Sequence, residues 1–227
     1  SSDYSYINLT NKYSKLIKNI FKEKKLKSKL ISINKSNYNF LLKKINNEHF
    51  ESKGNIENLA FAYEIAKNLK INDKVIVKAL NKFRGLPHRQ EILLSNSKLL
   101  CINDSKATSF DACLQSLLNY NNIYWIVGGL PKYQDHFYLK NVKKKIVKAY
   151  IVGKNTSFFR KKIRNDITYT ISNNIRNAVG SICKDLKLSR NSKSTILLSP
   201  AAASFDQFSN FENRGNYFKN LIIKKFK

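Results

Sequence analysis

Charged, hydroxyl and glycine residues gather in four short segments whose composition suits the binding of an anionic ligand. In the first, Asn103-Asp-Ser-Lys-Ala-Thr108, a carboxylate, an ammonium group and two hydroxyls follow a predicted strand and precede a predicted helix. Free backbone N–H groups at a helix start favour anions, so a phosphate or a carboxylate fits this turn. An ordinary helix start explains the segment equally well, with Thr108 or Ser109 as the cap and Asp104 paired with Lys106.

The other three segments also begin where a predicted strand ends. Gly128-Gly-Leu-Pro-Lys132 allows a tight turn and presents one cation, but it lacks the Gly-Lys-Ser/Thr ending of a phosphate loop. Ser199-Pro-Ala-Ala-Ala-Ser-Phe-Asp-Gln-Phe208 is rich in small residues and leaves room for a ligand near the Ser204 hydroxyl. Alternatively, it is a tight connection in which Asp206 caps the last helix. Gly153-Lys154 is the shortest of the four.

These segments need a scaffold, and the pattern from Gly85 onward provides one. Short β-rich runs alternate with helical runs, which predicts a layered α/β domain with a mostly parallel sheet that opens with a hairpin. The predicted strands are 91–94, 98–102, 123–127, 148–152, 167–170 and 195–198; the predicted helices are 110–119, 137–145, 158–164, 174–186 and one after Asp206. Since ligands of open α/β sheets bind outside the carboxyl ends of the strands, the four segments are expected at one edge.

The part of the chain before residue 86 is predicted to be mainly helical. We expect helices near 12–24, 39–45 and 55–69, a further helix in which Val75, Ala79, Leu80 and Phe83 are apolar, and a strand at 29–33. The apolar residues at helical spacing are interpreted as core residues, and in the 55–69 helix they are Ile56, Leu59, Tyr63, Ala66 and Leu69.

Composition restricts the class of protein. The net charge of +27 would suit a nucleic-acid partner, but the lysines are spread over almost every segment, which favours a solvated surface. No apolar run is long enough to span a membrane and no secretory signal is apparent, so a cytoplasmic location is expected. The three cysteines, Cys101, Cys113 and Cys183, are interpreted as reduced packing residues and not as a metal site.

The histidines do not form a catalytic constellation. His88 is interpreted as a structural or hinge residue, and His49 and His136 as surface residues. A Ser-His-Asp hydrolase is disfavoured because the sequence has no Gly-x-Ser-x-Gly elbow.

Taken in order, the motifs resemble the C-terminal signatures of the Mur ligase family, in particular of its D-glutamate-adding branch. The matching segments are Phe83-Arg-Gly-Leu-Pro-His-Arg89, 102–108, Gly128-Gly129 with Lys132, and 198–215, which ends in Phe-Glu-Asn-Arg-Gly. Asn55 and Asn58 match the family's His-Asn-x-x-Asn segment, although Gly54 stands where the family usually has histidine. The resemblance extends from about Gly54 to Lys227.

The resemblance implies a fold and an activity. The chain would consist of the end of a central α/β ATPase domain, residues 1–86, and a Rossmann-like amino-acid-binding domain, residues 87–227. The family's enzymes phosphorylate the alanine carboxylate of UDP-N-acetylmuramoyl-L-alanine with ATP and Mg²⁺, and the amine of D-glutamate then attacks the acyl phosphate in peptidoglycan precursor synthesis. The family's phosphate loop and metal ligands would lie upstream of Ser1, so we expect this chain, a monomer, to be inactive by itself.

The resemblance also implies roles for individual residues. Those of the adenine nucleotide site would be Asn55, Asn58, Arg89 and Asp104. Those of the D-glutamate site would be Thr108, Lys132, Ser204, Phe205 and Phe211. Lys106 would lie where nucleotide and amino acid meet, and Lys106 and Lys132 are the catalytic candidates. The alternatives are a basic nucleic-acid-binding α/β protein and another Mur-type ligase such as folylpolyglutamate synthase, which the 204–211 stretch disfavours.

Overall fold

The structure is a computed structural model that describes residues 3–50 and 53–226. The chain forms two compact units that divide between Arg84 and Gly85. We call the part up to Arg84 unit 1 and the part from Gly85 unit 2. In the described residues, no helix has the length and apolar character that crossing a membrane requires.

Unit 1 combines a small parallel sheet with several helices. Strand β1 (Tyr4–Asn8) pairs in parallel with β2 (Lys29–Ile33), and helix α1 (Ser14–Glu23) connects them. β1 was not among the predicted elements. The remaining elements are the 3₁₀ turns Lys35–Tyr38 and Glu48–Phe50 and the helices α2 (Asn39–Leu42), α3 (Lys53–Asn68) and α4 (Asp73–Lys82). The helix predicted at 39–45 is thus a single turn.

The core of unit 1 is small, and the apolar stripes predicted for α3 and α4 are only partly correct. Leu59 and Tyr63 are buried as expected. Leu69 lies beyond the last residue of α3 and is 68% exposed, and Val75 is 57% exposed. Helix α4 begins after Asn72, whose side chain accepts a hydrogen bond from the Lys74 amide, and this start turns Ile76 inward instead of Val75.

Unit 2 is built on a six-stranded sheet with the order β3-β4-β8-β5-β6-β7. Its strands are β3 (Glu91–Ser95), β4 (Leu99–Asn103), β5 (Ile123–Gly128), β6 (Ile146–Val152), β7 (Tyr169–Asn173) and β8 (Ser194–Leu198). β3 and β4 form an antiparallel hairpin, and the other neighbours are parallel. The mostly parallel α/β sheet with an initial hairpin is therefore confirmed.

Helices cover both faces of this sheet. Helices α5 (Phe110–Asn119) and α6 (Thr156–Ile163) pack on one face, and α7 (Ile175–Lys187) and α8 (Phe211–Phe226) on the other. Along β5, alternate side chains enter the two cores, and every residue of that strand is buried. A central parallel strand buried on both faces explains its continuous apolar sequence.

The helix predicted at 137–145 is wrong. Two 3₁₀ turns, Leu139–Asn141 and Lys143–Lys145, take its place. The Phe137 ring stacks on that of Phe110, with centroids 4.3 Å apart, so this loop is fixed by side-chain packing and not by a helical repeat. Helix α8 begins at Phe211, later than the sequence suggested, because Asn210 accepts a hydrogen bond from the Asn213 amide and caps it.

The cysteines fit the prediction of reduced packing residues. All three are free thiols; Cys101 and Cys113 are buried and Cys183 is half-buried. Burial raises the pKa of the Cys101 thiol to about 12, so this group stays protonated near neutral pH.

Candidate functional site

Four loops converge at the carboxyl-end edge of the unit 2 sheet, and backbone and side-chain hydrogen bonds join them. We call them the β4 loop (104–109), the β5 loop (129–138), the β6 loop (153–155) and the β8 loop (199–210). The Asp104 amide donates to Leu198 O at 2.8 Å and the Gly128 amide to Pro200 O at 2.9 Å. Leu130 and Ala203 exchange two hydrogen bonds as an isolated bridge. The β8 loop therefore fixes both of its neighbours.

Asp104 lies inside this arrangement and not on its surface. Its carboxylate accepts hydrogen bonds from the Ser116 and Ser199 hydroxyls and from the Gln90 amide. Burial raises the pKa of Asp104 to about 6, although these donors and Arg89 act in the opposite direction. The predicted pairing of Asp104 with Lys106 is not what the structure shows, because three other donors hold the carboxylate.

Two residues cap helix α5. Ser109 accepts a hydrogen bond from the Ala112 amide, and the Phe110 amide donates to the Asp135 carboxylate at 2.9 Å. The Asp135 amide in turn donates to Lys132 O at 2.9 Å. Asp135 thus connects the β5 loop to the helix start that follows Thr108. Of the two caps that the sequence suggested, Ser109 is the one in use.

Lys106 points toward the start of helix α8. Its ammonium lies 4.1 Å from the centroid of the Phe211 ring, a cation–π distance, and its amide donates to His88 O at 3.0 Å. Ser204 is buried, whereas Phe205 is 69% exposed and Lys132 is exposed. The structure therefore brings Lys106 together with Phe211 and places Lys132, Ser204 and Phe205 on loops of the same edge.

The Ser204 carbonyl accepts hydrogen bonds from the Gln207 and Phe208 amides, which form a turn within the β8 loop. The sequence left open that Asp206 caps the last helix, but the structure does not show this cap. The Asp206 carboxylate accepts the Lys154 amide at 2.9 Å and so connects the β8 loop to the β6 loop. Asn155 connects the β6 loop to the β5 loop, since its side-chain amide donates to Gly129 O at 3.0 Å.

Glycine is required at two consecutive positions where strand β5 ends. Gly128 and Gly129 have φ values of +134° and +137°, which L side chains rarely adopt. A Cβ at Gly128 would overlap the Val152 carbonyl, and one at Gly129 would overlap the Ala203 carbonyl. These loops can approach each other closely because glycine has no side chain.

His88 is a structural residue, as predicted. It is 6% exposed, its Nδ1 lies 2.9 Å from the side-chain amide of Asn103, and its amide donates to Glu91 at 3.1 Å. A Cβ at Gly215 would collide with its ring, so helix α8 also packs on it.

The remaining predicted site residues are Arg89, Asn55 and Asn58. Arg89 is exposed at the start of unit 2. Asn55 and Asn58 both lie on α3 of unit 1; Asn58 is exposed, and the Asn55 side chain donates to His49 O at 2.5 Å. His49 is not the surface residue that the sequence suggested. Its ring packs on Phe50 and Phe83, and burial lowers its pKa.

Sequence reasoning missed the role of Arg214 in this edge. The residue is 2% exposed, and its guanidinium donates to Ser105 Oγ, Ser105 O and Ala202 O at 2.8–3.0 Å. A signal was present, because Arg214, Phe218 and Ile222 recur at four-residue spacing on one face of α8. A charged residue in an otherwise apolar, buried stripe indicates that its side chain has polar partners inside the protein.

Comparison with known proteins agrees with this architecture. No protein-family model matches the chain. Among solved structures, MurF from Acinetobacter baumannii superposes with a TM-score of 0.62 at 12% identity, over 96% of this chain and 51% of that one. Another ligase structure from the same organism, titled as a UDP-N-acetylmuramoylalanyl-D-glutamyl-2,6-diaminopimelate–D-alanyl-D-alanyl ligase, gives a TM-score of 0.58 at 14% identity over 98% and 52%. At these identities the likeness shows the fold.

Sequence relatives are more specific. The UDP-N-acetylmuramoylalanine–D-glutamate ligase of Rickettsia felis is 35% identical over 175 residues, 77% of this chain and 39% of the relative. The enzymes with the same name from a Wolbachia of Brugia malayi and from Rhizobium meliloti are each 38% identical, over 75% and 72% of this chain and 34% and 35% of the relatives. The chain spans between a third and two fifths of the length of these curated relatives.

The fold is that of a doubly covered α/β unit, and the sequence relatives show that over the aligned segment the chain belongs to the Mur ligase family. Within that family, its sequence relatives are the D-glutamate-adding ligases.

Proposed function

We propose that this chain forms the C-terminal part of an ATP-dependent ligase that adds D-glutamate to UDP-N-acetylmuramoyl-L-alanine, and that the edge of unit 2 binds the D-glutamate. The observation that carries the proposal is the convergence of the β4, β5 and β8 loops, which bear Thr108, Lys132 and Ser204. D-Glutamate has two carboxylates, and both must be held if its amine is to be aimed at an acyl phosphate.

The chemistry of these side chains suits that task. Lys132 is an exposed ammonium on a loop that the Asp135–Phe110 hydrogen bond holds against helix α5. Thr108 and Ser204 supply hydroxyl donors on the β4 and β8 loops, and a carboxylate accepts hydrogen bonds from both kinds of group. We assign Thr108, Lys132, Ser204, Phe205 and Phe211 to the amino-acid site, with Phe205 and Phe211 as its apolar walls.

Lys106 is the second cation of the proposed site. Its ammonium lies over the Phe211 ring and is thereby held at the point where the β4 loop meets the start of α8. A fixed cation there would stabilise the negative charge of the acyl phosphate and of the carboxylate substrate. We assign Lys106 and Lys132 the catalytic roles in this chain.

The nucleotide site is proposed to use Asn55, Asn58, Arg89 and Asp104. Arg89 offers an exposed guanidinium that suits a phosphate or an adenine face. Asp104 contributes by holding the β4 loop, since its carboxylate already accepts three hydrogen bonds. Mg²⁺ has no counterpart in the part of the chain that the structure describes, where no cluster of three or more His, Cys, Asp or Glu residues could hold a metal.

Titration of the isotope-labelled 227-residue chain with D-glutamate tests the amino-acid site. We expect amide shifts in the β4, β5 and β8 loops and smaller ones with L-glutamate. Lys132→Ala should weaken binding at least about tenfold, because a charge-assisted hydrogen bond contributes roughly 1.5–3 kcal/mol. Lys140→Ala is the matched control, as Lys140 is an exposed lysine that follows the same loop. Equal affinity of the two variants would remove Lys132 from the site.

A turnover assay tests the catalytic expectation. The sequence contains no Gly-Lys-Ser/Thr phosphate loop. With ATP, Mg²⁺, the UDP precursor and D-glutamate, we expect the 227-residue chain alone to release no inorganic phosphate above background. Release that depends on all the substrates would contradict this expectation.

A further inference from the structure

The side chain of Arg214 joins loops that are distant in sequence. Nε donates to Ser105 Oγ at 3.0 Å, and Nη2 donates to Ser105 O at 2.8 Å and to Ala202 O at 3.0 Å. Ser105 Oγ in turn donates to Phe211 O at 2.8 Å, which ties the β4 loop to the first turn of α8. One guanidinium thus holds the β4 loop, the β8 loop and the start of α8 together.

The third nitrogen of the guanidinium faces the β5 loop. An added Cβ at Gly129 would lie 3.2 Å from Arg214 Nη1, so the glycine backbone packs directly against the cation. In the residues that the structure describes, Nη1 is buried and has no hydrogen-bond partner. Arg214 therefore touches all three loops that carry the proposed amino-acid site.

This placement is costly for folding. Burial lowers the pKa of Arg214 to about 10, although Asp206 acts in the opposite direction, so the side chain is still charged near neutral pH. The ion pairs found among the described residues do not include it. A well-packed apolar residue in the stripe with Phe218 and Ile222 would avoid the desolvation of a charge. The arginine, unlike an apolar residue, forms hydrogen bonds that hold the loops to one another.

We propose that Arg214 is a positioning residue for the amino-acid site: its planar guanidinium sets the β4, β5 and β8 loops in the one arrangement that brings Lys106, Lys132 and Ser204 to the ligand. The ligand part of this inference rests on the proposed function, whereas the loop arrangement does not. A lysine cannot replace the arginine, because its single ammonium lacks the rigid fork that reaches two carbonyls and a hydroxyl at once.

Hydrogen exchange measured by NMR on the 227-residue chain tests the loop arrangement without any ligand. Arg214→Lys should raise the exchange rates of the Leu130 and Ala203 amides at least tenfold. Phe218→Leu is the matched control, since Phe218 is fully buried one turn further along the same face of α8. It should lower the melting temperature but leave those two amides protected. Equal exchange in both variants would overturn the proposal.

D-Glutamate affinity and chemical rescue separate positioning from plain stability. Well below the melting temperature, Arg214→Lys should weaken D-glutamate binding at least tenfold and Phe218→Leu less than twofold. In Arg214→Ala, added ethylguanidinium should restore loop protection, and ethylammonium at the same concentration should not. If the lysine variant fails to fold, Ser105→Ala supplies the test, and it should loosen the β4 loop amides selectively; unchanged protection there would contradict the proposal.

The two proposals can fail separately. If the unaltered chain shows no D-glutamate shifts, the proposed function fails, and loop exchange alone decides the role of Arg214. If D-glutamate binds and Arg214→Lys binds it like the control, the amino-acid site stands and the positioning role is wrong.

Discussion

The two units of the chain differ in how completely they bury their sheets. Unit 2 places helices on both faces of six strands, and large apolar clusters fill both sides. Unit 1 has two parallel strands and one small cluster, and helix α1 contains no buried residue, with Leu16 56% exposed. Since parallel strands require cover on both faces, unit 2 has the core of an independent domain and unit 1 does not.

Dissection should give the largest effect that this comparison predicts. We expect residues 85–227, produced alone, to unfold in one cooperative transition with dispersed amide resonances. Residues 1–84 alone should show little persistent tertiary structure, because a cluster this small offsets little of the entropy of ordering. Thermal melts followed by circular dichroism and proton–nitrogen spectra check both fragments. A cooperative transition in residues 1–84 would break the comparison.

Within unit 2, the loop edge should be far less tolerant than the helical faces. Gly129→Ala forces a side chain onto a left-handed backbone and into the Ala203 carbonyl, which should cost about 3–5 kcal/mol of unfolding free energy. Gly180→Ala is the matched control, because a Cβ there meets nothing within 4 Å and α7 favours alanine. It should stabilise by about 0.5–1 kcal/mol.

Urea denaturation followed by Trp125 fluorescence measures both glycine variants. Trp125 is the only tryptophan in the chain, it is fully buried, and its indole donates to Ser199 O at 2.7 Å. Its emission therefore reports on unit 2 next to the β8 loop. Equal midpoints for the two variants would show that the loop edge is not specified by its glycines.

The difference between the two cores also explains which strands could be predicted from the sequence. In unit 2, strand and helix periods alternate and the central strands β5 and β8 are buried along their whole length, and all six strands were predicted to within a few residues. In the described part of unit 1, Tyr4–Asn8 has β2 as its single strand partner, and its burial pattern is irregular. A strand without a two-sided core leaves little apolar signal, and this one was missed.

The sequence predicted the positions of the site loops, but it did not predict the hydrogen bonds that connect them. Glycine, proline and small residues after strands indicate loops at the carboxyl-end edge, and topology brings those loops together. The hydrogen bonds from the Phe110 amide to Asp135 and from Arg214 to Ala202 O join residues that are distant in sequence or lie in irregular structure. Periodicity carries no information about such contacts. The failed 137–145 helix has the same cause, since ring stacking of Phe137 replaced a helical repeat.

Two carboxylates, Asp104 in unit 2 and Asp73 in unit 1, should contribute to the pH dependence of stability with opposite signs. Burial raises the pKa of Asp104 in unit 2 above that of the unfolded chain, so its contribution is present below about pH 4 and is lost as pH rises to about 6. The expected loss is about 3 kcal/mol. A hydrogen bond from Lys67 lowers the pKa of Asp73 in unit 1, so its contribution is present above the unfolded pKa and is lost as pH falls.

Urea titrations between pH 3.5 and pH 7 check the Asp104 part. With Trp125 as the probe, the unfolding free energy of Asp104→Asn should vary less with pH than that of the unaltered chain, because the amide has no proton to lose. Asp111→Asn is the control, as Asp111 is an exposed carboxylate on helix α5. Parallel pH curves for Asp104→Asn and the unaltered chain would show that this carboxyl titrates normally.

Replacing one buried leucine in each unit by alanine compares how tightly the two cores are packed. Leu197 on central strand β8 and Leu59 on α3 are both fully buried, but Leu197 lies in a sheet packed on two faces and Leu59 in the small cluster of unit 1. The rigid surroundings of Leu197 cannot collapse onto a cavity, whereas those of Leu59 can relax. Leu197→Ala should therefore cost about 1–2 kcal/mol more than Leu59→Ala, within the usual range of about 2–5 kcal/mol. Trp125 fluorescence should report the unfolding of Leu197→Ala, and far-UV circular dichroism that of Leu59→Ala. A larger cost at Leu59 would mean that the core of unit 1 is as tightly packed as that of unit 2.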